Sequence, residues 1–340
     1  MKKRIIFLAL LTLLAGFAFA GEPGKFSGYM LGDYYFVAAN HDKAIEDMNG
    51  FWMRRIYFTY DQKLDDGFSV RLRTEMAGPG DFTTKSTMTP DVKDAYLQWK
   101  SGNTKVLFGV SSTPTWGVIE SIWGYRAVEK TPLDLQKFGS SRDFGLAVKG
   151  KLDDDGRIYY HAMFSNGAGN KSETNKQKMI MGALGAWLSD NIVIEGYADY
   201  DGRPDHMNRH TLQGFIAYKT AKARVGFQVA RQTRQMGVDA EDKDWTIWSA
   251  FAAAQVSPKT AVFARVDGNS DPNPDGDGIS YIPFDTTAKP TFIVAGLDFT
   301  LSSNVHVMPN VEMVTYSAVE SGGPEPDSDV IPRVTFFYKF

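Results

Sequence analysis

Arginine and lysine recur in this chain at alternate positions of segments whose intervening positions are apolar. Arg55 precedes Ile56, Tyr57 and Phe58; Arg71 and Arg73 alternate with Val70 and Leu72; Lys149, Arg224 and Arg333 stand in segments of the same kind, and Asp94 alternates with Ala95 and Leu97. A period of two puts charge on one face of an extended chain and hydrocarbon on the other. Guanidinium and ammonium groups gathered on one inner surface concentrate anions by Coulomb attraction, without covalent chemistry. Carboxylates that could pair with them are also present: Glu75, Asp94, Glu195, Asp199, Asp298 and Glu312. The pattern therefore fits either free cations lining a bore or ion pairs that stiffen a wall.

Other chemistries have weaker support. Asp271, Asn273, Asp275 and Asp277 offer oxygen ligands at alternate positions around Gly276, but the twelfth position is Ile282, where an EF-hand needs a bidentate Glu. That leaves a loose Ca²⁺ site on an external loop, or a solvated acidic rim. His206 and His210 lie four apart beside Asp205 in a loop-to-strand stretch, where they cannot share a helix face as zinc ligands do. No Gly-x-Ser-x-Gly elbow occurs, and His161 beside Tyr159 reads as lumen lining. We expect no catalytic residues and no enzyme activity. The acidic balance without a basic stripe argues against nucleic acid, and the absence of Cys excludes a disulfide framework.

Lys2, Lys3 and Arg4, the apolar run 5–14 and Ala18-Phe19-Ala20 form a cleavable signal peptide over 1–20, leaving one domain over 21–340. Its removal takes the formal net charge from -3 to -6. No later apolar run approaches the ~20 residues of a spanning helix. Thirty-two Gly with 23 Phe, 15 Tyr and 7 Trp favour a turn-rich β protein with aromatic interfacial belts.

The elements that must carry the charged faces are strands. Alternation predicts sixteen of them, from 25–37 and 51–63 to 304–316 and 329–340. Every second connection is short, as at Leu64-Asp65-Asp66, Ser101-Gly102-Asn103 and Ser189-Asp190, while the others run from about seven to nearly thirty residues. This is the organisation of an all-β, transmembrane antiparallel β-barrel of the bacterial outer membrane, with short periplasmic turns, long extracellular loops and both termini periplasmic. Outer-membrane lipid and lipopolysaccharide follow as partners. The final strand alternates to a terminal Phe340, which resembles the assembly signal of outer-membrane proteins. Strands 177–188 and 243–256 are apolar on both faces and fit the pattern poorly. The loop 112–140 carries Trp116, Ile119, Ile122, Trp123, Tyr125, Val128, Leu133 and Leu135, too apolar for a solvated loop. It is expected to fold into the lumen as a constriction; docking on a neighbouring subunit is the alternative. Its charges include Glu120, Arg126, Glu129 and Lys130. Glu120 and Glu129 facing the wall arginines would set up a transverse field. Predicted strands sum to positive charge and predicted long loops to negative.

The runs Phe51-Trp52-Met53-Arg54-Arg55-Ile56, Phe68-Ser69-Val70-Arg71-Leu72-Arg73, Asp94-Ala95-Tyr96-Leu97 and Ser141-Arg142-Asp143-Phe144-Gly145-Leu146 resemble the porins, and most closely the phosphate-selective porin O and P group. The resemblance is best over 51–151. It implies sixteen strands, a homotrimer, an inward third loop and passive diffusion of anions. The group's third loop is lysine-rich, whereas here Arg126, Lys130 and Lys137 are balanced by Glu120, Glu129 and Asp134, which argues against phosphate specificity. The expectation is a passive channel for small hydrophilic solutes with mild anion preference. A surface-interaction barrel, such as an adhesin or receptor, is the alternative. Carbohydrate binding on Trp116, Trp123 and Tyr125 is another, unless those rings pin the loop to the wall.

Overall fold

The computed structural model describes residues 23–78, 82, 87–279 and 282–340. The leader expected at 1–20 lies outside the described residues. Sixteen strands run in order: β1 (Lys25–Phe36), β2 (Asn49–Lys63), β3 (Phe68–Ala77), β4 (Thr89–Ser101), β5 (Thr104–Ser112), β6 (Arg142–Lys151), β7 (Ile158–Ser165), β8 (Met179–Trp187), β9 (Ile192–Asp201), β10 (Arg209–Lys219), β11 (Ala223–Arg234), β12 (Lys243–Ser257), β13 (Thr260–Asn269), β14 (Lys289–Ser302), β15 (Val305–Ser317) and β16 (Asp329–Lys339). Each pairs antiparallel with its sequence neighbours, and β1 pairs with β16 to close the barrel. The last residue is part of that closure, because Phe340 and Gly28 exchange backbone hydrogen bonds of 2.9 and 3.0 Å. Closure leaves no unpaired edge, which a hydrocarbon environment requires.

Turn chemistry explains the short connections. Between β2 and β3 the chain reverses through Asp66 and Gly67 at φ 55° and 81°, the left-handed pair that tight hairpins demand and that Asp and Gly tolerate. The outward face carries Phe58, Leu72, Leu97, Ile180, Leu184, Leu212, Ile216 and Phe227, all exposed. Aromatics lie outward near both ends of this belt, Phe26, Phe68, Trp99 and Tyr338 towards the short turns and Phe51, Phe144, Phe164 and Trp248 towards the long loops.

The two strands apolar on both faces have a simple cause. On β8, Met179, Met181 and Ala183 point into the barrel, and on β12, Ile247, Phe251 and Ala253 do so. They meet the loop 113–141, whose Trp116, Ile119, Ile122 and Trp123 are buried against them and against Phe215 and Phe263. One face of these strands carries exposed apolar side chains outside the barrel and the other meets a second hydrophobic core inside it. The loop between β13 and β14 adds Ile279, Ile282 and Phe284 to that core.

Two β-bulges break strict alternation where charge is densest. The register of β2 against β1 slips between Leu31, opposite Arg55, and Gly32, opposite Met53, so Arg54 is an extra residue. Likewise Arg73 faces Asp94 while Thr74 faces Val92, leaving Lys93 as the extra residue of β4. A bulge re-aims a side chain; here Arg54 with Arg55, and Lys93 with Asp94, are delivered to the inside in pairs.

Candidate functional site

The inward loop begins at a clasp in which Thr113 donates through its hydroxyl to Ser140 O at 2.7 Å. Thr115 follows at φ 71°, an unfavourable conformation for a β-branched residue. It is held there because its hydroxyl donates to Glu195 Oε1 at 2.6 Å and accepts from Gln213 Nε2 at 2.5 Å. Helix α1 (Trp116–Trp123) then presents Trp116, Ile119, Ile122 and Trp123 to the wall. The other face, Gly117, Glu120, Ser121 and then Gly124, borders water-accessible space. Those spacings of three and four define the two sides of one helix. Gly124 ends it in the left-handed region and donates to Glu120 O at 2.8 Å. A Cβ at Gly124 would lie 2.5 Å from the Arg224 guanidinium. Arg224 thus reaches the helix end, donating to Trp123 O at 3.0 Å and covering the Tyr125 ring.

Beyond the helix the backbone is irregular, and its carbonyls need donors at a depth where water is scarce. The wall supplies them. Arg54 donates to Val128 O at 2.8 Å and also to Ala127 O, while pairing with Asp33. Arg265 donates to Lys130 O at 2.5 Å, pairs with Asp267 at 2.7 Å and lies over the Trp123 ring. Gln232 donates to Phe138 O at 2.6 Å. Short helix α2 (Pro132–Leu135) buries Leu133 and Leu135, and Gln136 Oε1 accepts from Asn273 Nδ2 at 2.6 Å. The loop packs mainly on β9–β15, with Arg54 as a further tether to β2, and open space remains chiefly on the β1–β7 side.

On that side a ring of charges faces the polar side of α1. Arg126 pairs with Glu120 at 3.3 Å and reaches Asp134 at 3.8 Å. Opposite, Arg55 and Lys93 share Glu75 at 2.6 and 2.7 Å, and Arg73 and Arg142 share Asp94, Arg73 at 3.3 Å. Glu120 sits in the field of Arg126, Asp134, Arg142 and Lys93, so loop and wall groups form one site. Five cations meet four carboxylates here. On the loop side Glu120 and Arg126 stay accessible, 30% and 22%, while on the wall Glu75 and Asp94 are buried beneath the cations that share them.

Nearer the short turns the balance tips. Arg71 pairs with Asp61 at 2.7 Å, and beyond it Lys100 opposes Lys105 in register, and Lys105 opposes Lys149. No ion pair joins these three lysines to a carboxylate among the described residues. Like charges placed directly across a sheet repel, so this row gathers unpaired positive charge at the short-turn end of the lumen.

Several expected residues are placed differently. Arg55, Arg71, Arg73, Asp94 and Lys149 line the open side, and Glu120 and Arg126 face them. Arg224 serves the helix end. Arg333 and Glu312 form an ion pair sealed from water, with side-chain exposures of 2% and 0%, so Arg333 does not border the open space. Glu129 is fully buried, and its Oε1 accepts from Lys130 N at 2.7 Å; Asp134, not Glu129, joins Glu120 opposite the wall. Lys130 offers its carbonyl to Arg265. Trp116 and Trp123 are buried, as is Tyr125, and these rings pin the loop and are not open to a sugar. On the external loop, Asp275 meets Arg234 at 3.3 Å, Asp271 accepts from Ser270, and Asn273 holds Gln136; Asp277 is exposed. Among the described residues no group of three or more His, Cys, Asp and Glu side chains gathers as metal ligands do. Sequence reasoning missed Arg54, Lys93, Lys100, Lys105 and Arg142. The first two are hidden by the bulges.

At the long-loop mouth, His41 ties the first loop to β16. Its Nδ1 lies 2.8 Å from Asp329 Oδ1, its backbone N–H donates to the same oxygen at 2.8 Å, and Tyr316 donates to Asp329 Oδ2 at 2.6 Å. Burial pushes the His41 pKa down, but the hydrogen bond and charge of Asp329, aided by Asp285 and Asp42, outweigh it and leave the pKa raised above 6.5. A raised histidine pKa adds stability that is fully present below the ordinary value and lost as pH rises through the folded one. The thermal stability gap between wild type and His41→Gln is therefore expected to be widest near about pH 5.5 and to close by about pH 9. A gap independent of pH would contradict this.

No family model matches the chain. A curated match, to the small ribosomal subunit protein mS23 of Phaeosphaeria nodorum, is 28% identical over 97 residues, 27% of this chain and 37% of that protein. The chain thus matches little more than a third of that relative. Solved structures match almost the whole chain. They include an anion-selective porin from Comamonas acidovorans, with a TM-score of 0.67 and 13% identity over 94% of this chain and 99% of that one. Salmonella typhi OmpF in complex with daunomycin gives 0.67 and 11% over 94% and 98%. The trimer form of OmpT, an outer membrane protein of Vibrio cholerae, gives 0.63 and 13% over 94% and 99%. At such identities the likeness is one of fold: this chain has the sixteen-stranded barrel architecture of bacterial porins. The narrower phosphate-selective resemblance gains no support from these structures.

Proposed function

We propose that this protein is a passive outer-membrane channel for small hydrophilic solutes, with a mild preference for anions. One observation carries the reading: the polar face of α1 does not seal against the wall but confronts accessible charges across the β1–β7 half of the lumen. Sieving takes place at the ring of Glu120, Arg126, Asp134, Arg55, Arg73, Lys93 and Arg142. The ring's charges nearly cancel, and their separation on loop and wall orients dipolar solutes. Selection by sign falls to the unpaired row Lys100, Lys105 and Lys149, because a lumen about a Debye length across, ~8–10 Å, feels wall charge throughout. Assembly as a homotrimer and export through a cleaved leader belong to the same proposal. The anion-selective porin and the trimeric OmpT among the structural neighbours are consistent with it.

Liposome swelling tests the channel directly. Proteoliposomes are expected to swell in isotonic arabinose and more slowly in glucose, sucrose and raffinose, with rates falling in that order. Vesicles that stay as tight as protein-free controls with arabinose would overturn the reading in favour of a surface-interaction barrel.

A further inference from the structure

We infer that the long-loop mouth of the lumen holds a binding site for small oxyanions, such as carboxylates and sulfate, which it prefers to halide. The inference rests on the channel reading above and names the class of solute that the path takes up first.

A cavity of about 700 Å³ lies at that mouth, enclosed by residues 137–140 of the inward loop, residues 167–174 between β7 and β8, and the long-loop ends of β6, β8, β9 and β10. Its charged lining comprises four cations, Lys137, Lys171, Arg203 and Arg209, and two carboxylates, Asp143 and Asp201. The carboxylates are 1% and 7% exposed and already occupied. Asp143 accepts from the Ser165 hydroxyl at 3.0 Å and from the backbone N–H groups of Phe144 and Gly167 at 2.8 Å each. Asp201 accepts from Arg203 Nε at 2.6 Å, and nearby Glu173 is taken by Lys178 at 3.1 Å. The cations, by contrast, stay accessible. Lys137 and Lys171 are exposed, and the side chains of Arg203 and Arg209 are 38% and 19% exposed. What the cavity presents to a solute is therefore positive charge.

Arg209 carries the site. Its closest carboxylate oxygen, on Asp275, is 4.0 Å away, and its side chain makes no hydrogen bond among the described residues. A guanidinium has five N–H donors, and here they border a cavity without a protein acceptor. Arg234 is the cause. It stands opposite Arg209 in register, is 5% exposed and holds the same carboxylate closer, at 3.3 Å. Like charges directly across a sheet repel, and Arg203 adds a third guanidinium to the field around Arg209. On its other side Arg209 opposes the inward Asp201 in register, so what reaches it is dissolved in the lumen and is not a lipid headgroup.

Shape then selects among anions. A guanidinium presents two parallel N–H donors in a planar fork, which two oxygens of one anion satisfy together, whereas a halide accepts at a single point. A carboxylate or a tetrahedral oxyanion meets that demand on Arg209, with Lys171 supplying charge from the loop. The lysine row at the short-turn end makes no such demand, because an ammonium is a point charge.

Calorimetric titration of the folded barrel in detergent, in a buffer free of other oxyanions, compares formate with chloride, two anions of equal charge. Formate is expected to bind about tenfold tighter, while the lysine row draws both alike. Arg209→Lys keeps the charge and removes the fork, so the two anions should come within about twofold of each other. Lys171→Ala, exposed on its loop, should weaken both by the same factor, about threefold. Chloride that binds wild type as tightly as formate would overturn the inference and leave a diffuse positive field. A tenfold preference that survives in Arg209→Lys would also overturn it, and no binding of formate would remove the site. Calorimetry does not depend on conduction, so a barrel that prefers formate but passes no solute upholds the site against the channel reading, and one that conducts without that preference does the reverse.

Discussion

Replacing Lys100, Lys105 and Lys149 together by alanine is expected to lower the chloride-over-potassium permeability ratio about fivefold in dilute salt. The magnitude follows from Coulomb's law. A unit charge about 4 Å from a passing ion contributes ~1 kcal/mol in a water-like medium. A solute in mid-lumen lies farther from each lysine, so the three together shift chloride and potassium by about half that much each, in opposite directions; the ratio thus moves by ~1 kcal/mol, and 1.4 kcal/mol is a factor of ten. Screening gives a second handle. At 1 M salt the Debye length contracts to ~3 Å, and wild type and variant should converge. The ring residues should behave differently. Arg73 and Arg142 share Asp94, so Arg73→Ala alone leaves that carboxylate paired and should change the ratio less than the triple lysine variant. Equal ratios for wild type and the triple variant in dilute salt would show that sign selection arises elsewhere.

Arg54→Met is expected to destabilise the barrel by about 3–5 kcal/mol, the loss typical when one member of a buried ion pair is removed. The side chain is 2% exposed. It pairs with Asp33 and donates to the carbonyls of Ala127 and Val128, so its loss strands two carbonyls and leaves the buried Asp33 carboxylate with the Thr335 hydroxyl but no cation. Lysine should not rescue the site, because one ammonium cannot reproduce the planar fork that spans a carboxylate and two carbonyls. A denaturant titration in detergent reads the stability. Single-channel noise reads a second consequence, since freeing residues 127 and 128 loosens the constriction loop that carries Arg126. A variant as stable and as quiet as wild type would mean that the apolar contacts of α1 suffice to hold the loop.

Much of the architecture was legible in the sequence because a membrane barrel obeys a strict code. Each predicted strand boundary falls within about two residues of the observed one, since short turns and period-two alternation mark both ends. The inward loop was also legible, because Trp116, Ile119, Ile122 and Trp123 make no sense in water. What failed did so for identifiable reasons. Alternation assumes an unbroken register, so the Arg54-Arg55 doublet left one arginine facing lipid. That contradiction was itself the signal of a bulge, and it went unread. Glu129 and Arg333 were expected beside open space, but period two reports only that a residue faces inward. It cannot report that the inward loop covers it. The same covering explains why β8 and β12 looked ambiguous. The row Lys100, Lys105 and Lys149 went unrecognised because its members come from three strands and meet only through register.

The reversal potential of single channels in a planar bilayer under a dilute KCl gradient tests the central claim most directly. Steady, stepwise currents with a reversal potential of anion sign are the predicted result. A potential of cation sign would mean that Glu120, Asp134 and the acidic loops dominate the field. A folded barrel that gives no steps at all would contradict the proposed path between α1 and the β1–β7 wall.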